Sequence, residues 1–342
     1  MAFRFFTTLN RYRMLGTLAC FGLTLGLTHG GQIAVADDAT KEIYTDPEEV
    51  PRDYKIQGEY EGTAGEEGVT YGAQVIALGN GKFRLVGYEG GLPGAGWQRG
   101  DEQMELEGEW QGDVVQFSGD DFDIRINTSG SLTPMSRETG ESLGELKRLV
   151  RESPTMGKSA PNGALVLFSG ESAEAFENGK IVQGNLLLAD CQSKQMFGDH
   201  QIHLEFRTPF KPTARGQGRG NSGVYVQSRY EIQVLDSFGL SGEDNECGGI
   251  YQVAKPKVNM CLPPLQWQTY DIDFTAARYD DAGKKVKNAR ITIRHNGVVI
   301  HDDLELPRHT PGKNQEADSP GAIYLQGHGN PVVYRNIWVV AK

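Results

Sequence analysis

Apolar residues in this chain recur with a period of two, in short runs that end at glycine-containing turns, and no long segment spaces them at the helical period. Alternate residues of a strand share a face, so this pattern builds sheets with one apolar side. Turn pairs such as Asn80-Gly81 and Asn296-Gly297 sit between alternating runs, where they mark hairpins. The clearest case is the stretch 220–239. Two runs, 224–227 and 230–234, lie back to back with Ser228-Arg229 between them as the turn. Tyr230, Ile232 and Val234 share one face, and Glu231 and Gln233 the other. The fold class is all-β.

A length of 342 residues exceeds one typical domain and suits two. Arg4, Arg11 and Arg13, an apolar run over 14–27 and the triplet Ala34-Val35-Ala36 have the layout of a secretory signal. Cleavage is expected after Ala36, giving a secreted or periplasmic protein with no membrane span. Residues 37–53, acidic and interrupted by proline, read as a flexible leader. Formal net charge is −11, and it is unevenly placed: 25 acidic against 12 basic residues over 37–160, but 20 against 19 beyond. A nucleic-acid partner calls for the opposite sign and is set aside.

Residues 54–130 read as a small antiparallel meander of about six strands, curled or closed into a barrel so that its edges are hidden. The glycine-rich segment 89–96 lacks the Lys-Ser/Thr ending of a phosphate-binding loop. Asp120, Asp121 and Asp123 cluster at a turn and read as a solvated hairpin tip. Residues 131–161 lack alternation and read as a linker, with one short helix over 143–150. From 162 to 342, ten to twelve strands imply a double-sheet jelly roll. In the run 199–207, Ile202, Leu204 and Phe206 face one way, and His203, Glu205 and Arg207 read as a solvated outer face.

Three cysteines follow the expected cleavage point. In an oxidising compartment Cys247 and Cys261 would close a short loop as a disulfide, leaving Cys191 as a buried thiol. No zinc-ligand spacing occurs.

Chemistry concentrates at Glu231-Ile232-Gln233-Val234-Leu235-Asp236. Alternation puts Asp236 opposite Glu231 unless a bulge adds a residue; with the bulge, two carboxyl groups and an amide line up, the equipment of glycosidic-bond cleavage. The spacing resembles the E-x-D-x-x-E strand of laminarinase-type concanavalin-like glycosidases, from which Gln233 and Asp236 depart.

The ordered set Gly220-Asn221-Ser222-Gly223-Val224, Tyr230 to Asp236, Gly248-Gly249-Ile250-Tyr251, Trp267 before Tyr270-Asp271-Ile272, His295-Asn296-Gly297, Leu325-Gln326-Gly327-His328-Gly329 and Arg335-Asn336-Ile337 resembles the 3-keto-disaccharide hydrolase domain family over about residues 162–341. The resemblance implies a concanavalin-like jelly roll that cleaves glycosides already oxidised at C3. The ketone acidifies the C2 proton, so a base removes it, an acid protonates the departing C1 oxygen, and water adds back. On this basis Glu231 and Asp236 are expected as the acid/base pair. Asn221, Gln233 and Gln326 would hold sugar hydroxyls, and His328 and Arg335 would stabilise the enolate. No cofactor is implied, although the carboxylates would accept a divalent cation. The alternatives are a non-catalytic carbohydrate-binding module and a retaining glycosidase acting on unoxidised glycan.

Overall fold

A computed structural model describes residues 43–65 and 67–342. The expected signal segment 1–36 and the leader up to residue 42 lie outside the described residues. Among those described, no helix is long and apolar enough to cross a membrane.

The chain is all-β; among the described residues a short α-helix, Arg52–Ile56, precedes the first barrel strand, and a single 3-10 turn lies at Gly216–Gly218. Eight antiparallel strands close a barrel in the order Gly58–Ala64, Gly144–Leu149, Ser131–Ser136, Phe122–Asn127, Val114–Ser118, Gln103–Gln111, Lys82–Glu89 and Val69–Gly79. Closure removes the exposed edges a meander would leave. Alternation fills the interior with side chains including Tyr60, Val75, Phe83, Leu85, Phe117, Ile124 and Ile126.

Three expectations are corrected here. Residues 131–149 do not link two units, because Ser131–Ser136 and Gly144–Leu149 are barrel strands. The helix expected over 143–150 is that second strand: in Gly144–Leu149, Leu146 turns inward and Lys147 outward, a two-residue alternation. Nor is the described part of the leader loose, since the backbone of Tyr44 exchanges two hydrogen bonds with Phe210, each 2.9 Å.

The second half is a two-sheet sandwich. Its larger sheet runs Ile181–Val182, Leu186–Leu188, Val333–Ala341, His200–Arg207, Gln268–Thr275, Ala289–His295 and Val298–Leu306, with Leu165–Phe168 also on Val333–Ala341. The smaller runs Phe176–Glu177, Cys191–Phe197, Gly321–Leu325, Ser222–Val226 and Tyr230–Val234. Leu204, Phe206, Tyr270, Ile272 and Phe274 of the larger sheet and Val224, Val226, Ile232, Val234, Ile323 and Leu325 of the smaller share one core. Ile76, Val86 and Tyr88 of the barrel wall join that core.

The polar face of His200–Arg207 is not solvated. His203 and Glu205 are buried beneath the segment after the barrel: Gly157 N–H donates to Glu205 Oε1 (2.7 Å), and the Thr155 hydroxyl donates to Asp271 Oδ2 (2.6 Å). His203 Nδ1 meets Asp271 Oδ1 at 2.9 Å. The strand lies in the middle of its sheet, and its charges are hydrogen-bonded as buried charges must be.

The disulfide is also corrected. Cys247 and Cys261 are free, buried thiols. Cys247 Sγ lies 3.3 Å from the Tyr270 hydroxyl and Cys261 donates to the Leu235 carbonyl at 3.4 Å. They pack as small apolar side chains in the core. Cys191 is a free, buried thiol as well.

Candidate active site

The smaller sheet turns its second face away from the core, and the register there sets two rows of three residues side by side. Glu231 pairs with Tyr225 and Tyr225 with Tyr324. One step along, Gln233 pairs with Gly223, and Gln326 N–H donates to the Gly223 carbonyl (2.8 Å). Two of these side chains, Tyr225 and Gln233, bond Glu231, and Gln326 bonds Tyr225. Tyr225 donates its hydroxyl hydrogen to Oε2 at 2.7 Å, and Gln326 Nε2 donates to the Tyr225 oxygen at 3.2 Å. One end of the Gln233 amide lies 2.6 Å from the Ser222 carbonyl and 3.2 Å from Glu231 Oε1. Both neighbours are acceptors, so that end is the nitrogen.

Gly223 makes this closeness feasible. A Cβ there would stand 2.6 Å from Glu231 Oε1 and 3.2 Å from Gln326 Oε1. From the other side, Glu231 N–H donates to Thr310 Oγ1 (2.9 Å), and the Pro311 carbonyl lies 3.3 Å from the Tyr225 hydroxyl. Glu231 is only 4 % exposed. Burial pushes its carboxyl up to about 7, against the opposing Tyr225 hydrogen bond. Burial and the Glu231 charge likewise raise the Tyr225 hydroxyl, so it stays a protonated donor.

Asp236 is elsewhere. The strand Tyr230–Val234 pairs without a bulge, and beyond its end Asp236 N–H donates to the Arg219 carbonyl (2.9 Å). The Asp236 carboxylate forms a buried ion pair with Arg219, at 2.9 Å to Nε and 2.7 Å to Nη2. Burial raises its carboxyl, and Arg219 opposes that rise. His328 is exposed beyond the end of Gly321–Leu325, with its carbonyl accepting from Asn330 Nδ2 (3.1 Å). Arg335 belongs to the larger sheet, where it bonds Glu205 Oε2 (2.6 Å) and lies 4.0 Å from the Trp267 ring centroid. Asn221 does stand beside the site: its Nδ2 donates to Gln217 Oε1 at 3.0 Å, and Gln217 adjoins the end of the Gln233 amide turned away from Glu231.

Two buried acceptors of this group, Asn221 Oδ1 and Gln326 Oε1, have no donor among the described residues. Among those residues no three His, Cys, Asp or Glu side chains gather as metal ligands. Sequence reading missed Tyr225, Tyr324 and Gln217. Lys313, whose ammonium lies 3.9 Å from the Tyr324 ring centroid, was missed too. Tyr225 carried a signal, since it shares a face with Gly223 on an alternating run.

Residues 155–340 match the family of the 3-keto-alpha-glucoside-1,2-lyase-like domain. Among solved structures, one candidate glycosyl hydrolase from Parabacteroides distasonis is 31% identical, over 54% of this chain and 86% of that one, with a TM-score of 0.50. Two others from the same organism are 16% and 21% identical. They cover 94% and 100% of their own chains and 53% of this one, with TM-scores of 0.39 and 0.38. No curated protein matches the sequence. With more than half its length, the whole sandwich, inside that match, the chain belongs to the 3-keto-alpha-glucoside-1,2-lyase-like domain family.

Proposed function

We propose that this protein cleaves glycosides carrying a ketone at C3, with Glu231 as its acid/base group. The observation that carries the reading is a buried carboxyl poised at about 7 that holds a tyrosine hydroxyl, while the carboxylate expected beside it, Asp236, is ion-paired with Arg219 instead. A retaining glycosidase needs a carboxylate partner about 5–5.5 Å away. An elimination needs one base of near-neutral pKa.

In the ionised form Glu231 takes the C2 proton acidified by the neighbouring ketone. The C1=C2 bond forms as the C1–O bond breaks, and the proton passes from Glu231 to the departing oxygen, with the Tyr225 hydroxyl able to relay it. Water then adds its oxygen to C1 and its hydrogen to C2. Asn221 Oδ1 and Gln326 Oε1, buried acceptors without donors, suit sugar hydroxyls, because leaving such atoms unpaired costs about 1–3 kcal/mol each.

The sandwich is then the catalytic unit and the barrel an accessory unit, in a protein that acts outside the cytoplasm once residues 1–36 are removed. Incubating residues 37–342 with an aryl 3-keto-glucoside should release the aglycone, and Glu231→Gln should abolish release. Equal release by the variant would overturn the assignment of Glu231; saturable binding of the sugar without turnover would favour a carbohydrate-binding module.

A further inference from the structure

The barrel lies outside the family match, which begins at residue 155. Its interior is packed, with a residual void of about 20 Å³ among Tyr71, Leu85, Met104, Ile124 and Leu132. A void of that size holds about one water, far less than a sugar ring needs. Besides the wall residues that join the sandwich core, a set of barrel contacts reaches one loop of the sandwich.

Arg99, from the barrel loop before the strand Gln103–Gln111, hydrogen-bonds four carbonyl oxygens of that loop. They are Ser241 (2.8 Å), Gly242 (2.8 Å), Pro256 (3.1 Å) and Lys257 (3.3 Å). One guanidinium therefore ties together the two ends of the excursion 241–257. Nearby, Arg84 Nη2 donates to the Gly239 carbonyl (2.9 Å), and Gly239 approaches Ile76 so closely that a Cβ there would stand 2.4 Å from its Cδ1.

The middle of the same excursion pairs with the free edge of the strand that carries Glu231. Gly248 N–H donates to the Gln233 carbonyl (3.0 Å), Gln233 N–H to the Gly249 carbonyl (2.9 Å), and Tyr251 N–H to the Glu231 carbonyl (3.4 Å). The Asn245 carbonyl receives Gln217 Nε2 at 2.8 Å. The barrel thus holds the ends of a loop whose middle forms one wall of the site.

We infer that Arg99 is a positioning residue, through which the barrel clamps the 241–257 loop against the Glu231 strand and holds in place the wall that keeps the Glu231 carboxyl buried. This deepens the reading of Glu231 as the acid/base group and rests on it. Opening the loop would hydrate Glu231 and lower its carboxyl toward the ordinary range.

The test compares Arg99→Ala and Arg99→Lys with the wild type as the full mature chain. Arg99→Ala should speed hydrogen exchange at the Gly248, Tyr251 and Gln233 amides by about tenfold or more while barrel-strand amides are unchanged. It should also lower the titration midpoint of Glu231, followed by carbon NMR and by the pH profile of kcat/KM on the aryl 3-keto-glucoside. Arg99→Lys, which replaces part of the hydrogen bonding, should fall between, and it decides the matter by itself if the alanine variant does not fold. Unchanged exchange at those amides and an unchanged Glu231 midpoint would overturn the inference. Exchange and NMR decide this even if the wild type releases no aglycone, a result that would count against the proposed activity alone.

Discussion

The Tyr225 hydroxyl donates to Glu231 Oε2 at 2.7 Å, and this bond works against burial at the carboxyl raised to about 7. Because it favours the ionised form, Tyr225→Phe should raise the Glu231 carboxyl further. As the base must be ionised, the rise of kcat/KM with pH should move to higher pH. Activity at pH 7 should fall about 10- to 100-fold, in the range for losing part of an acid/base device. A pH profile of aglycone release checks it; an unmoved profile would separate Tyr225 from the chemistry.

Gly223→Ala tests the floor beneath that pair. Its Cβ would need the space of Glu231 Oε1, 2.6 Å away, and would crowd Gln326 Oε1 at 3.2 Å. Both neighbours end in side-chain atoms that can swing aside. The expected cost is therefore modest in stability, about 1–3 kcal/mol, and severe in turnover. Urea unfolding and kcat measured on the same preparation would show the two effects separately.

How the site was read from sequence follows from the same strand pair. Alternation placed Glu231 and Gln233 on one face, and the register agrees, since Tyr225 and Gly223 lie opposite them. Tyr225 is not legible from the sequence as a partner of Glu231 because Ser228-Arg229 reads as a two-residue turn. With two residues in the turn, Glu231 would oppose Val226. The observed pairing of Val226 with Tyr230 leaves three residues in the turn, and one residue of register exchanges the faces. The extra residue was hard to foresee, as Gln227 and Ser228 both adopt φ of 53° without glycine to announce it. They are held there by Gln227 Nε2 donating to the Phe197 carbonyl (3.0 Å) and the Ser228 hydroxyl to the Ala322 carbonyl (3.1 Å).

Asp236 misled because Val234-Leu235-Asp236 reads as a continuing strand, whereas the Arg219 carbonyl captures its N–H and ends the ladder. Arg335 misled because position in an ordered motif set says nothing about which sheet a strand joins. The barrel strand Ser131–Ser136 was hidden by Pro134, a residue that argues against a paired strand.

The buried network under the larger sheet sets an acid limit on stability. Burial alone would raise Glu205, but hydrogen bonds from His203, Asn336, Arg335 and the Gly157 amide outweigh it and hold the carboxyl down at about 2. A depressed carboxyl contributes stability that is present above its unfolded pKa of 4.5 and is lost as pH falls from 4.5 toward 2. Burial would lower His203, but Asp271 and Glu205 raise it, so its contribution is present below 6.5 and is lost as pH climbs through the raised folded value. Glu205→Gln should flatten the acid limb in urea unfolding measured across pH 2–5. An equally steep limb would assign the acid sensitivity to other carboxylates.

Glu231 and Asp236 are both buried carboxyls, and their amide variants should move stability in opposite directions. Glu231 has a folded pKa raised from 4.5 to about 7. The folded state therefore holds its proton longer than the unfolded chain does, and stability falls as pH rises from 4.5 to 7. Glu231→Gln removes that penalty, so the variant should lose activity yet gain about 1–3 kcal/mol over wild type at pH 8. The gain should shrink toward pH 4.5. Asp236→Asn instead leaves the Arg219 guanidinium, itself 6 % exposed, without its counter-charge. Breaking a buried pair from one side costs about 3–5 kcal/mol, and the loss should persist at every pH where wild-type Asp236 is ionised. Urea midpoints for both variants at pH 5 and pH 8 separate the two roles. A stability gain at pH 8 in Asp236→Asn, or a loss there in Glu231→Gln, would reverse the assignment of which carboxyl is poised for chemistry and which holds the chain together.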